Sequence, residues 1–426
     1  MPKKNKFIFI VAAVLLLQTS INSIAYSQVA NSDKKRSTLE LMNLLTYNLI
    51  KDNPLKKGDY AKGDWNTVKK SKLPKAMNWL YPTGVSLLAM ERVFDISHDK
   101  KIIEFINNNQ RISADQYAYL RWQKDKFGTV FSTEGFFKLW RLDMLDDYGA
   151  IAASILETNL RHKIPFTKNV KELIDITGNF IEHIQYRLPD ETFWRPNSED
   201  GPTVWADDLF MSLPFLIRLA EYKKDTALLT DAAKQIINYA KLLQDEDGVF
   251  FHAYFTDKKE HSCCKWARAN GWAAVGIAEV LSVLPKTHAK YKQVFDIYKK
   301  QITGLIKYQA ADGFWNQIID HPELSWGTET SSSAQFTYAI ARGINKGWLD
   351  KSYLHTVEKS LATLCDTSRI STTGVLHKVC ASTSIGKDLN YYNTRLSEEG
   401  ENYTDHHGDG LILLALTEMH ILLNKK

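Results

Sequence analysis

The chain has 426 residues, 24% of them charged and 12% aromatic, and a formal net charge of +5. That small excess includes lysines at both ends, and no basic patch is interleaved with aromatics, so a nucleic-acid-binding class is excluded. The four cysteines, Cys263, Cys264, Cys365 and Cys380, form neither a disulfide framework nor a zinc spacing. Cys365 and Cys380 read as two buried thiols, with a bridge between them as the alternative.

Lys3, Lys4 and Lys6 precede the apolar stretch Phe7 to Leu17, which has the form of a secretory signal and is short for a bilayer span. Ala25-Tyr26-Ser27 offers small residues for cleavage before Gln28. Residues 1–27 are therefore expected to be a signal peptide, 28–40 a polar leader and 41–426 a single catalytic domain. Export to the periplasm follows, with no membrane anchor after cleavage; an uncleaved anchor is the competing reading.

From there, six loops carrying aromatic, acidic or glycine residues run into apolar helical segments at intervals of roughly 60–77 residues. The junctions are Trp79 to Gly84, Leu145 to Gly149, Trp205 to Met211, Trp266 to Trp272, Thr328 to Ser333 and His406 to Gly410. After the third, Phe210, Leu213, Leu216, Ile217 and Ala220 share one helical face. Ala274, Ile277, Ala278, Leu281 and Leu284 do the same after the fourth, and Pro285 ends that helix. Ala334, Tyr338, Ala341 and Ile344, then Leu411, Leu414, Ala415 and Met419, complete the set. Helices so poor in polar residues are buried on most sides. Between them lie amphipathic segments, Thr226 to Leu243 and Ala289 to Gln309. Turn-led stretches at Asp247 to His252, Asp312 to Gln317 and Thr373 to His377 read as hairpin arms. Two helices per repeat and six repeats predict an all-α, (α/α)6 barrel with short β-hairpins at the rim. A superhelical solenoid is the competitor, but its repeats are shorter and more regular.

In such a ring the six junctions converge at one end. Asp207 and Asp208 stand in the first turn of an apolar helix, after Trp205. One aspartate suffices as a cap; two beneath an aromatic suit general acid chemistry. Asp146 and Asp147 repeat the pattern one unit earlier, and paired carboxylates are the usual equipment for glycoside chemistry. Arg268 opposes the dipole of its helix start; a structural ion pair is one reading, a planar donor framed by Trp266 and Trp272 the other. His252, Arg195, Tyr81, His407 and the pair Tyr391 and Tyr392 are candidates for the same pocket. Adjacent His406 and His407 make a poor metal site, and none is expected.

The strings Trp205-Ala206-Asp207-Asp208-Leu209-Phe210-Met211, Trp266-Ala267-Arg268-Ala269-Asn270-Gly271-Trp272, Glu329-Thr330-Ser331-Ser332-Ser333-Ala334 and His407-Gly408-Asp409-Gly410, in that order, resemble glycoside hydrolase family 105. These are the unsaturated rhamnogalacturonyl hydrolases, related to the unsaturated glucuronyl hydrolases of family 88. The resemblance runs from about Asn78 to the C-terminus. It implies an (α/α)6 barrel with Asp207 as general acid/base and Asp147 assisting. It also implies Trp205, His252, Trp266, Arg268 and Trp272 as substrate contacts; Arg195, Tyr81, Asp146 and His407 join them from the convergence of the junctions. The family pattern has glycine on both sides of the arginine, where Ala267 and Ala269 stand. The implied substrate is an unsaturated oligosaccharide left by a polysaccharide lyase, from rhamnogalacturonan first and from ulvan or glycosaminoglycan as the alternative, with no cofactor. A conventional glycosidase or lyase, and a non-catalytic periplasmic sugar-binding protein, are the readings from other classes.

Overall fold

A computed structural model describes residues 36–395 and 407–425; the expected signal segment, nearly all of the leader before the first helix, and His406 lie outside them. The compact unit starts at Thr38, three residues before the expected domain boundary.

The apolar segments form six inner helices: α2 (Tyr81–Ser97), α4 (Gly149–His162), α6 (Asp208–Lys223), α8 (Ala267–Val283), α10 (Thr330–Asn345) and α12 (Asp409–Asn424). Each packs on the next, and α12 returns to α2, so the ring closes and the solenoid is ruled out. Six outer helices back them: α1 (Thr38–Asp52), α3 (Lys100–Phe127), α5 (Lys168–His183), α7 (Thr226–Leu243), α9 (Tyr291–Lys307) and α11 (Leu354–Leu364). The first outer helix, α1, backs the last inner helix, α12, so the two ends of the chain complete one hairpin. The predicted amphipathic segments match α7 in both bounds and α9 within two residues.

Close approach of the inner helices at the junction end depends on missing side chains. A Cβ on Gly149, the first residue of α4, would stand 1.6 Å from the carbonyl oxygen of Met211 in α6. A Cβ on Gly84 in α2 would stand 2.4 Å from the Ala150 carbonyl carbon. Neither position admits a larger residue without separating the helices.

Deeper in the barrel each inner helix contributes one charge, and the signs alternate. Arg92 pairs with Glu157 at 2.9 Å, Glu157 with Arg218 at 2.7 Å, and Arg218 with Glu279 at 2.8 Å. Glu279 continues to Arg342 at 3.2 Å, and Arg342 to Glu418 at 2.6 Å. Tyr338 adds a hydrogen bond to Glu279 at 2.5 Å. All but Arg92 are nine-tenths buried, so each charge is tolerable only through its neighbours.

The rim carries two antiparallel sheets. The larger runs β1 (Arg195–Ser198), β2 (Gly201–Trp205), β3 (Ala253–Phe255), β4 (Glu260–His261); the smaller pairs β5 (Trp315–Asn316) with β6 (Thr328–Glu329). Of the three expected hairpin arms, one becomes β5, and the others are closed by single bridges, Gln244 to Phe250 and Ile370 to Leu376. The β1–β2 hairpin escaped sequence reading because Pro196, Pro202 and a polar tip hide its alternation.

Burial pushes the Glu157 carboxyl up, but Arg218 and Arg92 outweigh it and hold it at about 2, below the ordinary 4.5. A carboxylate held below its unfolded value stabilises the fold above that value and loses its contribution as pH falls toward the folded one. Denaturant unfolding should therefore show stability falling between about pH 4.5 and about 2, and less steeply in Glu157→Gln. Arg218→Met, which strands two buried carboxylates, should cost about 3–5 kcal/mol at neutral pH; a cost near zero would remove the charge ring from the account of closure.

Candidate active site

The junctions surround a cavity of about 820 Å³ at one end of the barrel. Its wall includes Tyr81, Asp146, Arg195, Trp205, Asp207 and Asp208, together with Trp266 and His407. A second cavity of about 550 Å³ adjoins it through shared residues Leu80, Pro82 and His407.

The acids fall into two states. Arg195 donates Nε to Asp208 at 3.0 Å and one terminal nitrogen at 2.5 Å, and both terminal nitrogens to Asp146 at 3.1 and 3.2 Å. Its guanidinium also lies 4.3 Å from the Trp205 ring centroid, and the Trp205 indole donates to Thr203 at 2.8 Å. Arg195 thus fixes two carboxylates and one indole together. Burial pushes Asp208 up to about 6 against the pull of Arg195, and the Asp146 and Asp207 carboxylates push the same way.

Asp207 differs. It stands just before α6 without capping it, is 8% exposed, and its Oδ2 receives no hydrogen bond from the described residues. His252 Nε2 lies 3.4 Å from that oxygen. The other ring nitrogen of His252, Nδ1, is 2.8 Å from the Tyr392 hydroxyl, and that hydroxyl accepts the Gly386 N–H at 3.0 Å. The same hydroxyl can also donate its O–H to Nδ1, and in the tautomer that accepts it the ring proton stands on Nε2, aimed at Asp207. Trp205 and Trp266 frame the imidazole, with ring centroids at 5.4 and 4.7 Å.

At the seam between first and last inner helices, Tyr81 and His407 meet through hydroxyl and Nε2 at 2.5 Å. Burial, followed by the positive charge of Arg268, holds His407 well below its ordinary range, so the ring is neutral.

Four expected site residues stand outside the wall. Asp147 is fully buried outside the cavity wall: Arg141 donates to it at 2.9 and 2.5 Å, and the Asp143 N–H at 3.1 Å. The acid facing the cavity from this pair is Asp146, because the short 3-10 turn Leu145–Asp147 points the two side chains apart. Arg268 is spent on backbone: it donates to the Cys380 carbonyl, to the Ala381 carbonyl at 2.6 Å and to Ser331 at 3.4 Å, and lies 5.0 Å from the Trp266 ring. It holds the loop whose next residues, Ser382 to Ser384, line the cavity. Trp272 is core, packed on Phe210 at 4.7 Å and edge-on to Tyr81 at 5.9 Å. His252 is wholly buried behind Asp207 rather than in the wall. Sequence reading missed Lys138 and Arg141, which line the cavity from the short helix Phe137–Arg141, and Asp143, Glu199 and Asp200, which line it from loops; only the turn string Ser198-Glu199-Asp200-Gly201 carried a signal.

The family model for glycosyl hydrolase family 88 matches residues 58–423. The chain belongs to that family. It is a glycoside hydrolase. Unsaturated rhamnogalacturonyl hydrolase YesR of Bacillus subtilis is 29% identical over 301 residues, covering 68% of this chain and 83% of the relative. Unsaturated 3S-rhamnoglycuronyl hydrolase of Alteromonas sp. is 29% identical over 222 residues, 51% of each chain. A family 105 glycoside hydrolase structure from C. acetobutylicum superposes with a TM-score of 0.69 at 22% identity, covering 89% of this chain and 99% of that one, and shows the shared six-hairpin fold.

In this family 88 member the relay from Gly386 through Tyr392 and His252 ends on Asp207. Tyr392→Phe removes the proton that fixes the imidazole tautomer, a loss of about 1 kcal/mol. Steady-state kinetics should show kcat lower by about fivefold to tenfold with KM little changed; an unchanged kcat would separate His252 from the chemistry.

Proposed function

We propose that the protein removes a 4,5-unsaturated uronic acid from the non-reducing end of oligosaccharides produced by a polysaccharide lyase. Rhamnogalacturonan is the first candidate source, supported by the relative that matches over the larger share of its length. The single observation that carries the reading is Asp207: a nine-tenths buried carboxyl whose Oδ2 receives no hydrogen bond from the described residues, beside His252, in a cavity where Arg195 holds Asp146 and Asp208 and Arg141 holds Asp143.

Asp207 is placed as the general acid and then the base. The C4–C5 double bond of the sugar is a vinyl ether conjugated with the carboxylate. Protonated Asp207 delivers its proton to C4, and the positive charge that develops at C5 is shared with the ring oxygen. The ionised Asp207 takes a proton from water as the water oxygen bonds to C5, which regenerates the acid. The resulting hemiketal opens and the aglycone leaves with its oxygen. His252 Nε2 stands 3.4 Å from Asp207 Oδ2, beside the carboxyl that changes protonation between the two steps. Trp205 and Trp266 offer flat faces in or beside the wall for the planar sugar.

Loss of ultraviolet absorbance of the conjugated enoate, followed on lyase-digested rhamnogalacturonan, tests this directly. Wild type should consume the chromophore. Asp207→Asn should be slower by at least about a thousandfold with an unchanged melting temperature. Substantial residual activity in that variant, or no loss of absorbance by wild type on any lyase digest, would overturn the assignment.

A further inference from the structure

We propose that the cavity accepts an oligosaccharide carrying one anionic group, the unsaturated uronate, and discriminates electrostatically against a charged sugar next in the chain. This rests on the hydrolase reading and names its aglycone class: neutral sugars.

Six carboxylates stand in the wall of the 820 Å³ cavity: Asp143, Asp146, Glu199, Asp200, Asp207 and Asp208. Three cations stand with them, Lys138, Arg141 and Arg195; with Asp207 protonated for the first step, the wall carries a formal excess of two negative charges. Each cation already faces a carboxylate. Arg195 is held by Asp146 and Asp208, Arg141 by Asp147 and Asp143, and Lys138 lies 3.7 Å from Asp147. A second anion on the substrate therefore meets no uncommitted cation in this wall.

Asp207, nine-tenths buried with Oδ2 unbonded, marks the reacting end. Behind Trp266 at that end stands the Arg268 guanidinium, 5.0 Å from the ring, a positive charge that offsets the uronate carboxylate. The wall also includes the β1–β2 hairpin, whose tip carries Glu199 and Asp200 ahead of Gly201 at φ +97°. At the strand rise of about 3.3 Å per residue, Asp200 stands roughly 16 Å along the strand from Trp205, within range of the sugars that follow the uronate. A carboxylate there accepts hydrogen bonds from neutral sugar hydroxyls and repels a sulfate or a second uronate. Across a partly solvated cleft this repulsion weakens with salt.

The test compares two unsaturated uronyl disaccharides that differ only by a sulfate on the second sugar. The readout is the ratio of their kcat/KM values, at about 0.02 M and about 0.3 M salt, for wild type and for the Glu199→Gln/Asp200→Asn double variant. The neutral disaccharide should be preferred by about tenfold or more at low salt. High salt and the double variant should each shrink that preference severalfold. A ratio near or below one would overturn the proposal. So would a preference that ignores both salt and the variant, since steric exclusion has neither dependence. If wild type turned over neither disaccharide, the hydrolase reading would fail. The ratio of Kd values measured with Asp207→Asn would still decide the charge preference.

Discussion

Six inner helices can close into a ring only if their axes approach tightly at one end and their buried polar groups agree at depth. The alternating chain Arg92, Glu157, Arg218, Glu279, Arg342, Glu418 meets the second condition with one residue per helix. Each charge sits about eight to twelve residues beyond its helix start, hence roughly 12–18 Å below the junctions at 1.5 Å per residue. A helix shifted by a turn would leave a buried charge opposite an apolar neighbour, at a cost of several kcal/mol. The ring thus ties register to closure, and through register it sets the height at which every junction delivers its side chains. Gly84 and Gly149 meet the first condition at the site end, where helix starts touch backbone to backbone.

That fixed height explains how a crowd of carboxylates yields one reactive acid. Arg195 takes Asp146 and Asp208; Arg141 takes Asp147. What remains beside the indoles is Asp207, addressed among the described residues by His252. The arginines hold Asp146, Asp208 and Asp147 in ion pairs and leave Asp207 outside them. Arg268 anchors the loop at Cys380 and Ala381, and its charge adds to the burial that holds His407 well below its ordinary range.

The period of the junctions and the apolar faces of the inner helices made the barrel legible, because burial on all sides leaves a strong compositional trace. The (α/α)6 architecture, the placement of Asp207 and the convergence of Trp205, Trp266, Tyr81 and His407 could be read from it. Asp147 could not be told from Asp146, since which of two adjacent acids faces a cavity depends on a single 3-10 turn. Arg268 and Trp272 carry the right residue types for a sugar site, yet one satisfies backbone carbonyls and the other fills core. The charge ring was visible as isolated Arg and Glu residues in apolar helices, spaced about a repeat apart; it signals only when the six segments are laid side by side. The hairpin tip of Glu199 and Asp200 left little trace, because its strands contain two prolines.

Where Asp207 delivers its proton separates alkene hydration from ordinary glycoside cleavage, and it is the claim on which the functional account turns. Turnover of an unsaturated uronyl disaccharide in heavy water, with the first-formed 4-deoxy product read by NMR, measures it. One deuteron at C4, added with a single stereochemistry in step with aglycone release, is the predicted result. Aglycone release with no deuterium at C4, the double bond surviving in the product, would mean that the proton goes to the glycosidic oxygen and would contradict the account.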